Sequence, residues 1–155
     1  EVEVLTGTHG KLRWRIWTAG TEDDLLTMLQ VFDGDRCVAE SGFGGPALHL
    51  DRKVNQWRGR TDDLPYFVMA RAAPEVSRLV AVTDRGTHVE LVTGRADNRF
   101  GLRFAAAGLP DGEGPGVLLV EVAGRPDGSI PQPMGWPSAG PGGHDGPLDS
   151  WRPFR

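Results

Sequence analysis

The stretch YFVMARAAPEVSRLVAVTDRGTHVEL, residues 66–91, decides how this chain folds. Tyr66 to Arg71 has the length and composition of a strand, and Pro74 ends it, because proline has no N–H to give to a ladder. Leu79-Val80-Ala81-Val82 is apolar at successive positions, which predicts a strand covered on both faces and central to the fold. Asp84-Arg85-Gly86 then turns the chain. Beyond it Val89 and Leu91 point inward, while His88 and Glu90 point out. Short segments cut by turns in this way are strands, since a helix needs an apolar stripe sustained over roughly ten residues.

The rhythm extends in both directions. Toward the C-terminus, Phe100, Leu102 and Phe104 alternate with Arg99, Gly101 and Arg103. Pro110 to Gly116 reads as a loop, and Val117 to Val122 as another apolar strand closed by Arg125-Pro126-Asp127-Gly128. Toward the N-terminus, Glu1 to Leu5 predicts an edge strand with a turn at Thr6 to Gly10. Lys11 to Thr18 sets Leu12, Trp14 and Ile16 against Lys11, Arg13 and Arg15, with Trp17 as the exception on the polar face.

Thr21 to Phe32 admits two readings. Thr21 with Asp24 imitates a capping box, which would place Leu25, Leu29 and Phe32 on one helical face. Against this, Thr27 to Phe32 runs into Asp33-Gly34, and Arg36 to Glu40 resumes the alternation. An Asp-Gly pair so flanked predicts a hairpin, with positive φ at both central residues, and the hairpin is the expectation adopted. Ser41 to Pro46 breaks the chain, Ala47 to Trp57 reads as an edge strand plus loop, and Arg58 to Asp63 as a polar connection.

Together these segments predict an all-β protein: a single antiparallel β-sandwich, Ig-like or jelly-roll-like, of about eight or nine strands over residues 1–130. From Pro131 the composition changes, with 11 of the last 25 residues Pro or Gly. Such a segment is poor material for a core or a ladder, so residues 131–155 are expected to form a tail or strap. It carries Trp136, Trp151 and Phe154. Aromatics spaced along a Pro/Gly segment suit docking into grooves, so these three, with Trp57 in the irregular segment, are the candidate ligand- or partner-binding residues.

Composition narrows the partners. The chain has 17 basic and 21 acidic residues, a net charge of −4, and no basic block, which disfavours nucleic acid and anionic membranes. No apolar run approaches the length of a membrane span. Cys37 is the single cysteine, so any disulfide would be intermolecular. The simplest reading of Cys37 is a small apolar residue inside a strand.

Motifs that carry chemistry are few. His49-Leu50-Asp51 and His144-Asp145 lack a third ligand nearby, so no metal site is expected. Asp33-Gly34-Asp35 begins like a calcium loop, but Arg36-Cys37-Val38 follows where oxygen ligands should continue. No Gly-x-Ser-x-Gly elbow is present, and Gly42-Phe43-Gly44-Gly45 leads into Pro46 where a phosphate loop would lead into a helix. No catalytic residue, metal or cofactor is predicted. A platform of exposed aromatics is the best positive option: Trp14 belongs to the core, whereas Trp17, Trp57, Trp136 and Trp151 are candidates for partial exposure.

The order of Trp14-Arg15-Ile16-Trp17, Ser41-Gly42-Phe43-Gly44, the run Val68 to Leu79, Asp84-Arg85-Gly86, Phe104 before Leu109-Pro110, and Arg125-Pro126-Asp127-Gly128 carries a resemblance. It resembles small extracytoplasmic β-domains of secreted and membrane-anchored proteins from high-GC Gram-positive bacteria, including outer domains of some anti-sigma factors. Such domains often carry paired cysteines, where this chain has Cys37 alone. The resemblance implies an exported, non-enzymatic module for assembly or sensing, and it brings no catalytic residues. The expected function is a structural or interaction module outside the cytoplasm, with a protein partner or self-association ahead of a small molecule. The alternatives are a carbohydrate- or small-ligand-binding module using exposed aromatics, and a hydrolase whose site the fold assembles.

Overall fold

The computed structural model describes residues 1–48 and 53–123, and the backbone of 129–133. Among them are twelve strands: β1 (Val2–His9), β2 (Leu12–Gly20), β3 (Leu25–Asp33), β4 (Arg36–Phe43), β5 (Val54–Gly59), β6 (Phe67–Ala72), β7 (Val76–Thr83), β8 (His88–Glu90), β9 (Val92–Thr93), β10 (Arg103–Gly108), β11 (Pro115–Val122) and β12 (Ser129–Pro133). They form three antiparallel four-stranded sheets. The first is the meander β1-β2-β3-β4, the middle sheet runs β5-β6-β10-β9, and the third runs β12-β11-β7-β8.

The all-β antiparallel reading holds, and the ambiguous segment resolves as strand. In β2 the buried residues are Leu12, Trp14, Ile16 and Thr18, and in β3 they are Leu25, Thr27, Leu29 and Val31. Both runs keep strict period two, and they pair in register, Trp14 with Val31 and Ile16 with Leu29. Phe32 therefore lies on the sheet face opposite Leu29, and the helical stripe is not formed. The pairing of Asp33 with Arg36 leaves Gly34-Asp35 as the turn. Of that pair only Gly34 has positive φ, at 62°, which is a type II′ pattern and corrects the expectation of two left-handed residues.

The sandwich gains a third layer because its middle sheet is apolar on both faces. In β6, Phe67 and Met69 belong to a core shared with the first sheet. Val68, Ala70 and Ala72 belong to a second core shared with the third sheet. β10 divides in the same way, Phe104 and Ala106 to one side and Ala105 and Ala107 to the other. The strands that lie between the two cores are therefore β6 and β10. In β7 the segment Leu79–Val82 is covered as expected, with Leu79, Val80 and Ala81 buried in succession and Val82 half-buried, but β7 lies in the outer third sheet and its Ser77 and Arg78 are exposed. β1 runs beside β10 and β4 approaches β5, so the first and middle sheets curl toward each other around their shared core.

Other boundaries move for local reasons. Thr6 to His9, expected as a turn, continue β1, and the reversal is at Gly10-Lys11, between paired His9 and Leu12. β5 reaches Gly59, so the polar connection starts later than expected. Phe100 and Leu102 are buried but precede β10. They sit on a turn in which Asn98 Oδ1 accepts the Phe100 N–H at 3.0 Å. The ladder extends past Ile130 through Pro133, against the expectation that the Pro/Gly segment would not pair. Proline is tolerated there because β12 is an edge strand. Cys37 lies in β4 as expected, and it is exposed.

One turn yields a pH prediction. Thr83 and Thr87 each donate a hydroxyl hydrogen bond to Glu113 at 2.6 Å. These bonds, Thr83's first, hold the Glu113 carboxyl below the ordinary value of 4.5, with Arg85 adding a smaller favourable charge. A carboxylate whose folded pKa is depressed stabilises the fold above its unfolded pKa. That contribution is lost as pH falls through the folded value. Acid unfolding curves of Glu113→Gln are expected to be flatter than wild type below pH 4.5, and superimposable curves would remove Glu113 from the acid response.

Candidate functional site

A cleft opens where the edge of the first sheet meets the edge of the middle sheet. It has a volume of about 210 Å³, and its lining comes from β3 and β4 (Leu29, Val31, Ala39, Ser41), from β5 at Trp57, Arg58 and Gly59, from the connection that follows it, and from Phe67 of β6. Drug-sized ligands occupy pockets of roughly 300–1,000 Å³. This cleft therefore has room for one large side chain or one sugar ring. Its residues lie far apart in sequence, and it exists only because the two sheets curl.

Trp57 is half-buried, on the face of β5 that looks toward the first sheet, opposite Met69 of β6. Two residues along the same face is Gly59, where a Cβ would lie 2.5 Å from the indole. The ring thus lies along its own strand over bare backbone and forms part of the cleft wall. At the rim, Arg60 has its guanidinium carbon 5.5 Å from the centre of the Tyr66 ring and its Nε donating to the Asp62 carbonyl at 3.0 Å. Asp62 has φ of 48°, the only non-glycine positive value among the described residues. Among the described residues the lining includes Arg58 and Arg60 and no acidic residue.

Arg71, which the sequence reading passed over as the end of a half-buried strand, holds this end of the molecule together. Its side chain is fully buried on the face of β6 toward the first sheet. It donates to the Leu25 carbonyl at 2.7 Å, Thr27 Oγ1 at 3.0 Å and the Pro46 carbonyl at 3.0 Å. The guanidinium carbon sits 4.1 Å from the centre of the Phe43 ring. Burial lowers its pKa to about 10, so it is charged at neutral pH. No carboxylate is among these partners. Asn55, its cross-strand neighbour, donates to the Ala47 carbonyl at 3.2 Å. Together they fasten the segment leaving β4 onto the middle sheet, which fixes the spacing of the edges that frame the cleft. An arginine between Phe67 and Ala73 in an apolar run was the available signal.

Of the sequence candidates, the structure brings Trp57 to the cleft, while Trp136, Trp151 and Phe154 lie outside the described residues. The same holds for His49, Asp51, His144, Asp145 and the Arg125–Gly128 turn. Trp14 is in the core, 2% exposed, and Trp17 is half-buried on the outer face of the first sheet. Among the described residues no group of three or more His, Cys, Asp or Glu is placed to hold a metal ion, and no helix is long and apolar enough to cross a membrane. Comparison with protein-family models, with curated proteins and with solved structures finds no match.

Proposed function

We propose that this chain is a non-catalytic interaction module acting outside the cytoplasm, and that it engages a protein partner at the β4–β5 cleft. The observation that carries the reading is the pairing of two sheet edges with a cleft between them. β4 ends the first sheet and β5 ends the middle sheet. An edge strand such as β4 offers a template on which an extended segment of another chain can add a strand. Trp57 offers such a segment an aromatic wall, the volume admits one bulky side chain, and Arg60 at the rim favours acidic neighbours. The extracytoplasmic placement is supported by the likeness to exported β-domains.

The test is selection of peptides from a random display library on the immobilised intact chain. The expected enrichment is for acidic segments around one bulky apolar residue, binding at least about tenfold more weakly to a folded Trp57→Ala variant, as for a central tryptophan anchor. Sequences without a common pattern, or equal binding to the variant, would refute the reading. A chain ending at Pro133 extends the test to Trp136, Trp151 and Phe154, because it keeps β12 and removes all three.

A further inference from the structure

We propose a second binding site, for the ring face of a neutral pyranose saccharide, on the outer face of the first sheet around Trp17. It lies on the side of that sheet away from the cleft, so the two proposals stand or fall separately.

The first support is the lie of the indole. Trp17 is on β2 and Glu40 on β4, with β3 between them. Neighbouring strands are about 4.8 Å apart, yet the Trp17 indole N–H reaches the Glu40 carboxylate at 3.3 Å. The ring therefore spans β3 toward β4, and Trp17, only half-buried, keeps part of its surface open to solvent. Relief beside it is low. Trp17 pairs with Met28, and Met28 pairs with Gly42. A Cβ on Gly42 would lie 2.9 Å from the Met28 sulfur, so the thioether leans over a residue with no side chain.

The second support is the adjoining row. Arg15, Gln30 and Glu40 stand in register on β2, β3 and β4. Arg15 Nε donates to Gln30 Oε1, and Gln30 Nε2 donates to Glu40 Oε2. The result is a fixed strip of planar polar groups, with donors and acceptors both present, next to an aromatic face. A pyranose matches it: its C–H face stacks on the indole, and its hydroxyls both donate and accept. An apolar partner would desolvate that strip without replacing its hydrogen bonds. Arg15 is 3.4 Å from Glu3, so the strip carries no uncompensated positive charge, and the chemistry favours a neutral saccharide over an acidic one.

The experiment is calorimetric titration of the full chain with cellohexaose, xylohexaose and mannohexaose, with polygalacturonate as the acidic comparison. Saturable binding of at least one neutral oligosaccharide is expected. Affinity should fall at least about tenfold in Trp17→Ala, fall less in Trp17→Phe, which keeps a ring for stacking, and be unchanged in Trp57→Ala. Should Trp17→Ala fail to fold, the Trp17→Phe and Trp57→Ala arms decide. The proposal is overturned by no binding of any neutral oligosaccharide, by tighter binding of polygalacturonate, by affinity that is unchanged in the folded Trp17 variants, or by binding lost only in Trp57→Ala.

Discussion

Replacing Arg71 with methionine is expected to lower the unfolding free energy by about 3 kcal/mol, even though the change removes a buried charge that has no carboxylate partner among the described residues. Two terms oppose each other. Burial lowers the Arg71 pKa from the ordinary arginine range to about 10, which corresponds to a cost of roughly 3 kcal/mol for keeping the charged form inside. In return the guanidinium makes three well-formed bonds, to the Leu25 and Pro46 carbonyls and Thr27 Oγ1. Charge-assisted bonds are worth roughly 2 kcal/mol each, and buried acceptors left bare are penalised further. The hydrogen-bond term wins because methionine supplies no donor. Arg71→Lys should fare little better, since an ammonium lacks the planar fork that serves β3 and the Pro46 segment at once. Chemical denaturation of both variants checks this, and a loss under about 1 kcal/mol for methionine would show that Arg71 is not the clamp.

Arg71 also marks where sequence reading runs out. Alternation is a local property, so Leu12, Trp14 and Ile16, or the hairpin at Gly34, could be read from residue types alone. Coverage on the second face is a tertiary property. Phe67-Val68-Met69-Ala70 and Leu79-Val80-Ala81-Val82 carry the same local signal, and only the stacking of sheets places the first between two cores. Once a strand is covered twice, an arginine in it has no wet face, and Arg71 becomes a buried cation instead of a solvated one. The cleft was beyond reach for the same reason: Leu29, Ser41, Trp57 and Phe67 meet only through the curl of two sheets. The surface around Trp17 was partly legible. Its place among polar residues stood out as an exception to the pattern, while its reach to Glu40 depends on strands that sequence does not align.

Gly42→Ala is expected to cost about 3 kcal/mol, near the upper end of what overpacking does. The obstacle is space, since a Cβ there would lie 2.0 Å from the Thr27 carbonyl oxygen and 2.9 Å from the Met28 Cα. Both atoms are backbone, and Thr27 has little freedom to yield. It is fully buried, it pairs with Thr18 and Phe43 on its two sides, and its Oγ1 accepts from Arg71. β4 must therefore move away from β3, carrying Phe43, the next residue, off the Arg71 guanidinium. That shared movement makes the prediction sharper than a stability loss. Gly42→Ala and Arg71→Met disturb one corner through the same contacts, so their effects should not add, and the double variant should lose less than the two single losses combined. A double-mutant cycle by denaturation measures the shortfall. Strict additivity would mean that the clash is relieved within β4 and never reaches the clamp.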